Sequence, residues 1–141
     1  MVRHREPFTQ IYLHIVWATW ARMPLLVPDI QKTVYASIHA ECAQLKAAAV
    51  AIGGMDDHVH VLVRLPTSIS VGELVKQMKG ATSHLINHMG PERHRLRWQG
   101  GYGVFSVSRR HVPLITRYIL RQPEHHALGQ LHPALELTAR P

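Results

Sequence analysis

The chain has 141 residues, 46% of them hydrophobic, which suits one domain with its own core. No apolar run is long enough to span a membrane, and we expect no signal peptide at the N-terminus. One cysteine, Cys42, excludes an intramolecular disulfide and suits a reducing cytoplasm, while the net charge of +7 favours nucleic acid as partner over membrane.

The first half of the chain alternates between strand and helix patterns. Residues 9–20 alternate as a first strand, and a helical stripe with Cys42 on its apolar side runs from Pro28 to Lys46. A short apolar run over 47–52 predicts a second strand that Gly53 and Gly54 end. A third strand is predicted from His58 to Leu65.

The second half opens with a capping box, Ser70 to Glu73, which starts an amphipathic helix. Its apolar stripe continues to Leu85 and Met89, and Gly90 and Pro91 end it. Residues 101–107 predict a fourth strand, and a last helix runs from His111 or Val112 to Gln122.

This order, β-α-β-β-α-β and then a helix, predicts an α+β, ferredoxin-like fold with a four-stranded antiparallel sheet and a C-terminal helix. We expect one domain over residues 1–141, with a core from about 8 to 128 and a partly irregular tail from 129. The sheet face opposite the first two helices must be covered by a third helix, a second subunit or nucleic acid.

His58 and His60 are spaced i, i+2 in the third predicted strand. Side chains alternate along a strand, so both imidazoles lie on one face while Val59 and Val61 face the core. Two adjacent imidazoles indicate half of a metal site. The alternative is chance, because the chain contains 12 histidines.

Tyr118 and Gln122 lie four residues apart, and therefore on one face of the last helix. Gln122 offers an amide oxygen as a ligand, and Tyr118 offers a phenol that can act as a nucleophile when a base or a metal assists it. The alternative for Tyr118 is a half-buried ring. His125 and His126 are alternative ligands, since Pro123 disfavours a helical conformation at Gln122.

These residues carry a resemblance to a family. His58-Val59-His60 resembles the HUH motif of the single-tyrosine HUH transposases of the insertion-sequence-200-like group. The resemblance extends in order over residues 12–17, 53–63, 79–83, 98–107 and 118–126. It therefore covers nearly all of the chain to about residue 130.

The resemblance implies a homodimer in the prokaryotic cytoplasm, at the nucleoid, with Mg²⁺ or Mn²⁺ held by His58, His60 and Gln122. It implies that Tyr118 cleaves single-stranded DNA, at hairpin ends of its own element, to give a 5′-phosphotyrosine and a free 3′-OH. In this family the helix that carries the tyrosine can come from either subunit.

Supporting roles are expected for further residues, each with an ordinary alternative. Asp57 can accept from a ring N–H of His58 or simply form the turn. Phosphate contacts on the second helix, or a solvated face, are predicted for Lys76, Lys79 and Ser83. A basic loop that stacks an unpaired base on Trp98, or packs that ring in the core, is predicted from Arg93, Arg95 and Arg97.

Two other functions compete with a transposase. A domesticated module of the same fold would bind nucleic acid without cutting it. A metal-dependent hydrolase would use the two histidines with a third ligand, but it leaves Tyr118 without a role and has no glutamate placed as a base.

Overall fold

The structure is a computed structural model, and it describes residues 7–89, 95–124, 129 and 132–140. The elements follow the predicted order. The strands are β1 (Tyr12–Ala18), β2 (Ala48–Gly54), β3 (His58–Arg64) and β4 (Gly103–Val107). The helices are α1 (Pro28–Gln44), α2 (Val71–Asn87) and α3 (Val112–Leu120), and a single 3-10 turn over Pro133–Glu136 follows.

The four strands form one sheet in the order β2-β3-β1-β4. Each neighbouring pair is antiparallel, so the predicted ferredoxin-like arrangement is confirmed. β1 and β3 occupy the centre, where Val16 pairs with His60 and Ala18 with His58. The two histidines therefore lie in the most constrained part of the sheet.

α1 and α2 cover one face of the sheet and form the main hydrophobic core with it. The predicted stripe of α1 is buried, including Cys42, and burial raises the pKa of that thiol to about 11. On α2 the stripe is shorter than predicted, because Leu85 and Met89 are 40% and 42% exposed. These two residues lie in the last turn of the helix or beyond it, where the sheet no longer faces them.

The start of α2 is as predicted. Ser70 is the N-cap, and its hydroxyl accepts a hydrogen bond from the Glu73 N–H at 3.1 Å. This bond satisfies one of the free N–H groups of the first turn. The predicted stop signals, Gly90 and Pro91, lie outside the described residues.

β2 does not end before the glycines, so the predicted boundary at Ile52 is wrong. Gly53 pairs with His60 and Gly54 with Val59, and the turn follows at residues 55–57. A side chain at Gly53 would collide with the backbone carbonyl of Ile119 in α3. Glycine here serves the close approach of a helix to the strand rather than a turn.

α3 covers part of the other face of the sheet. A second, small apolar cluster of Ala51, Leu62, Val107 and Ile119 holds it there. Of the three covers considered from the sequence, the structure shows the third helix. In the part of the chain that the structure describes, no helix is long and apolar enough to cross a membrane.

Candidate active site

His58 and His60 are brought together by β3, with ring centroids 5.1 Å apart. Both are buried, His60 completely, on the sheet face that α3 covers. Their neighbours in sequence, Val59 and Val61, belong to the core on the opposite face. The alternation predicted for this strand is therefore present, and the imidazoles are held in a rigid position.

α3 brings Tyr118 and Gln122 to the same place. Gln122 Oε1 lies 3.4 Å from His58 Nε2, and the Tyr118 ring centroid lies 6.1 Å from that of His60. Both side chains are buried. α3 itself ends at Leu120, and Gln122 lies in a further helical turn over 122–124. The alternative ligands His125 and His126 lie outside the described residues.

Glu136 is a member of this site that the sequence prediction missed. Its Oε2 lies 2.7 Å from His60 Nε2 and 4.0 Å from His58 Nε2. Its Oε1 accepts a hydrogen bond from the Tyr118 hydroxyl at 2.9 Å. The only signal in the sequence is that Glu136 is the one acidic residue after Glu124, which does not place it.

The ligand atoms of His58, His60 and Glu136 all lie within 4.8 Å of one another, so this cluster could hold a metal ion. Gln122 adds an amide oxygen beside His58. Two imidazole nitrogens with a carboxylate and an amide oxygen form a donor set that accepts a divalent cation. The residues present therefore fit the metal that the family resemblance implies.

The outer nitrogens of the two histidines also have defined partners. His58 Nδ1 lies 2.7 Å from Asp57 Oδ1, and His60 Nδ1 lies 2.7 Å from His14 Nε2. For either histidine to bind a metal through Nε2, its proton must lie on Nδ1 and be donated to that partner. His14 was not predicted as a site residue, because strand register is needed to place it beside His60.

Burial and close charges determine the protonation of the site. Burial alone would raise the pKa of Glu136, but hydrogen bonding and charge from His60 outweigh it and lower that pKa to about 2. Burial, together with the nearby charge of His60, lowers the pKa of His14 to about 3. Glu136 is therefore ionised and His14 neutral at neutral pH.

The Tyr118 phenol is held in its protonated form. Burial raises its pKa, the His132 N–H bond lowers it, the Glu136 bond raises it and the Gln122 bond lowers it, with a net upward shift. The His132 backbone N–H donates to the phenolic oxygen at 3.3 Å. A nucleophilic role for this phenol consequently requires an acceptor for its proton at the moment of attack.

A separate groove of about 560 Å³ lies along α2. Its lining includes five residues predicted to contact DNA: Lys76, Lys79, Ser83, Arg97 and Trp98. Arg95 is exposed in the adjoining loop but does not line the groove, and Arg93 lies outside the described residues.

Two of these side chains also serve the structure of the groove. Lys79 Nζ donates to the carbonyls of Gln99 and Gly101, both at 2.8 Å, and so fixes the loop before β4. Trp98 is half-buried, and its indole N–H donates to the Thr82 hydroxyl at 3.0 Å. The guanidinium of Arg97 lies 3.8 Å from the ring centroid of Trp20. The groove is thus preformed.

Known proteins with similar sequences and folds point in one direction. A curated relative, the ISDra2 transposase TnpA of Deinococcus radiodurans, is 25% identical over 127 residues, covering 86% of this chain and 91% of its own. A crystal structure of a Deinococcus radiodurans R1 protein assigned as a transposase superposes with a TM-score of 0.66 at 25% identity, over 84% of this chain and 95% of that chain.

A second solved structure supports the fold alone, since its identity is 14%. It is a REP-associated tyrosine transposase bound to a REP hairpin, with a TM-score of 0.65 over 89% of this chain and 74% of that chain. The family model described as "Transposase IS200 like" matches residues 7–122, which include His58, His60, Tyr118 and Gln122. The chain therefore belongs to the family of IS200-like transposases.

Proposed function

We propose that this DNA transposase cleaves and rejoins single-stranded DNA through Tyr118, in a site where His58, His60 and Gln122 hold Mg²⁺ or Mn²⁺. The observation that carries the proposal is the placement of α3. It sets a phenol and an amide oxygen directly over two buried imidazoles. A structural tyrosine has no need of this surrounding.

A divalent cation, when bound, supplies Lewis-acid polarisation of the scissile phosphodiester. The residues of the chain supply position. β3 and its hydrogen bonds to Asp57 and His14 hold the two imidazoles rigidly, and the approach of α3 at Gly53 sets the distance of the phenol from them. Such fixed geometry lowers the entropic cost of attack.

The chemistry is a transesterification. The Tyr118 oxygen attacks phosphorus, and the departing group is the 3′ oxygen of the upstream strand. The product is a 5′-phosphotyrosine and a free 3′-OH. Rejoining is the same step in reverse with another 3′-OH, and the phosphotyrosine bond conserves the energy that this requires.

The DNA substrate is proposed to lie along the groove on α2. Exposed Lys76 and Arg97 are positioned for phosphates, and Tyr102 and the edge of Trp98 offer rings for unpaired bases. One structural relative was solved with a DNA hairpin. We infer that the substrate here consists of hairpin ends of the protein's own element, bound by a homodimer at the prokaryotic nucleoid.

A covalent-adduct assay tests the proposal. The protein is incubated with Mg²⁺ and single-stranded oligonucleotides from its flanking DNA, labelled at either the 5′ or the 3′ end, and resolved on a denaturing gel. We expect an adduct that retains only the 3′-end label. Tyr118→Phe should abolish it, whereas Tyr102→Phe, at an exposed position, should retain it.

Other outcomes identify the competing functions. Tight binding without any adduct would indicate a binding module. Cleavage that survives Tyr118→Phe would indicate a hydrolase. Retention of the 5′-end label on the protein would reverse the proposed polarity.

A further inference from the structure

The C-terminal segment over residues 132–140 places one side chain on the nucleophile. Glu136 Oε1 accepts the hydrogen bond of the Tyr118 hydroxyl at 2.9 Å, while Oε2 lies 2.7 Å from His60 Nε2. One carboxylate thus contacts both the phenol and a predicted metal ligand. Its side chain is 17% exposed, so water is largely excluded from these contacts.

This placement depends on a close fit between the segment and the sheet. A Cβ atom at Gly103 in β4 would collide with the carbonyl oxygen of Leu137, the residue after Glu136. On the other side of Glu136, the His132 N–H donates to the Tyr118 hydroxyl. The segment is therefore anchored on both sides of the glutamate, and glycine at position 103 is required for the approach.

Glu136 also lies outside the part of the chain that defines the family. The family model matches residues 7–122, and the segment begins ten residues later. The contacts of Glu136 are consequently a property of this chain that the family comparison does not supply.

We propose that Glu136 is a catalytic residue that accepts the phenolic proton of Tyr118 during cleavage and returns it during rejoining. This proposal rests on the proposed function of Tyr118 as nucleophile. The acceptor is already within hydrogen-bond distance of the proton, which is the geometric requirement for a general base. Its carboxylate is ionised at neutral pH and so is able to accept.

The proton and electron pairs balance as follows. A phenolic oxygen lone pair forms the bond to phosphorus, and the bond from phosphorus to the 3′ oxygen breaks. The phenolic proton passes to Glu136 Oε1 as the new bond forms. Water protonates the 3′ oxygen, and the resulting hydroxide takes the proton from Glu136. In rejoining, the departing tyrosyl oxygen recovers a proton from Glu136.

The test is the single-turnover cleavage rate of Glu136→Gln with excess protein over labelled single-stranded DNA. Glutamine preserves the shape but is a far weaker base, so we expect the rate to fall about 10²- to 10⁴-fold. Glu124→Gln is the matched control, since Glu124 is exposed, and its rate should equal that of the unaltered protein. DNA affinity should change little in either variant.

A second substrate separates nucleophile activation from help to the leaving group. A bridging sulfur in place of the scissile 3′ oxygen leaves without protonation. The defect of Glu136→Gln should persist on this substrate. A defect that disappears there would overturn the proposal, because Glu136 would then act on the leaving group.

A third measurement separates proton transfer from metal binding. Mn²⁺ affinity is measured directly by calorimetry for both proteins. A large loss of affinity in Glu136→Gln, with the rate restored by excess Mn²⁺, would make Glu136 a ligand only and overturn the proposal. An unchanged or faster rate would also overturn it, since the segment would then merely cover the site. A missing adduct in the unaltered protein would instead refute the proposed function.

Discussion

The two faces of the sheet have different compositions. The face beneath α1 and α2 is a continuous apolar core. On the face beneath α3, the buried apolar cluster of the described residues has four members, and beside it four polar side chains are buried: His14, His58, His60 and Gln122. The sheet therefore separates a packed core from a polar site.

This difference indicates a division of roles. Burial of apolar surface stabilises a fold by roughly 25 cal/mol per Å², whereas a buried hydrogen-bonded polar group contributes little net stability. We therefore expect the α1–α2 face to determine the free energy of unfolding. The α3 face should determine activity, and substitutions on the two faces should separate these properties.

The largest effect on stability is expected in the apolar core. Ile38 on α1 is fully buried and remote from the candidate site. Ile38→Ala should lower the free energy of unfolding by about 2–5 kcal/mol, because it leaves a cavity. Urea denaturation measures this change. Adduct formation per folded molecule at low temperature should be unchanged, and a selective loss of activity would contradict the division of roles.

A smaller effect on stability, with a large effect on activity, is expected at the contact between α3 and β2. Gly53→Ala places a methyl group against the Ile119 carbonyl and pushes α3 away from the sheet. We expect a loss of about 1–3 kcal/mol from the overpacking. The adduct rate should fall about 10²-fold, since a displacement of about 1 Å has this cost in catalysis.

Gly80→Ala serves as the control, because no atom lies near its added Cβ and alanine favours the helix. It should retain both stability and adduct formation. If Gly53→Ala behaved in the same way, α3 would not depend on this contact for its position.

The smallest effect is expected at the N-cap of α2. Ser70→Ala removes the acceptor for the Glu73 N–H and should lower the free energy of unfolding by about 1 kcal/mol. Ser68→Ala, two residues earlier and exposed, should have no measurable effect. Adduct formation should be equal in both variants, since neither residue faces the site. A loss of activity in Ser70→Ala would connect the two faces more closely than proposed.

The fold was largely predictable because its signals are local. Hydrophobic periodicity located the helices and strands, and the Ser70 capping box located one helix start. The boundary of β2 was not predictable, since glycines that end a strand and glycines that admit a helix look alike in sequence.

The site was only partly predictable. Tyr118 and Gln122 share a helical spacing, and His58 and His60 share a strand spacing, so each pair was found by itself. His14 and Glu136 join the site through strand register and through a segment that returns to the sheet. Such long-range contacts leave no periodic pattern in the sequence.

The central claim is that Tyr118 is the nucleophile, and mass spectrometry of the adduct tests it most directly. The chain has four tyrosines, and the tryptic peptide that contains Tyr118 contains no other. After incubation with DNA and Mg²⁺ followed by nuclease and trypsin digestion, we predict a nucleotide mass on that peptide alone. A nucleotide on the peptide of Tyr102, or on none, would contradict the claim.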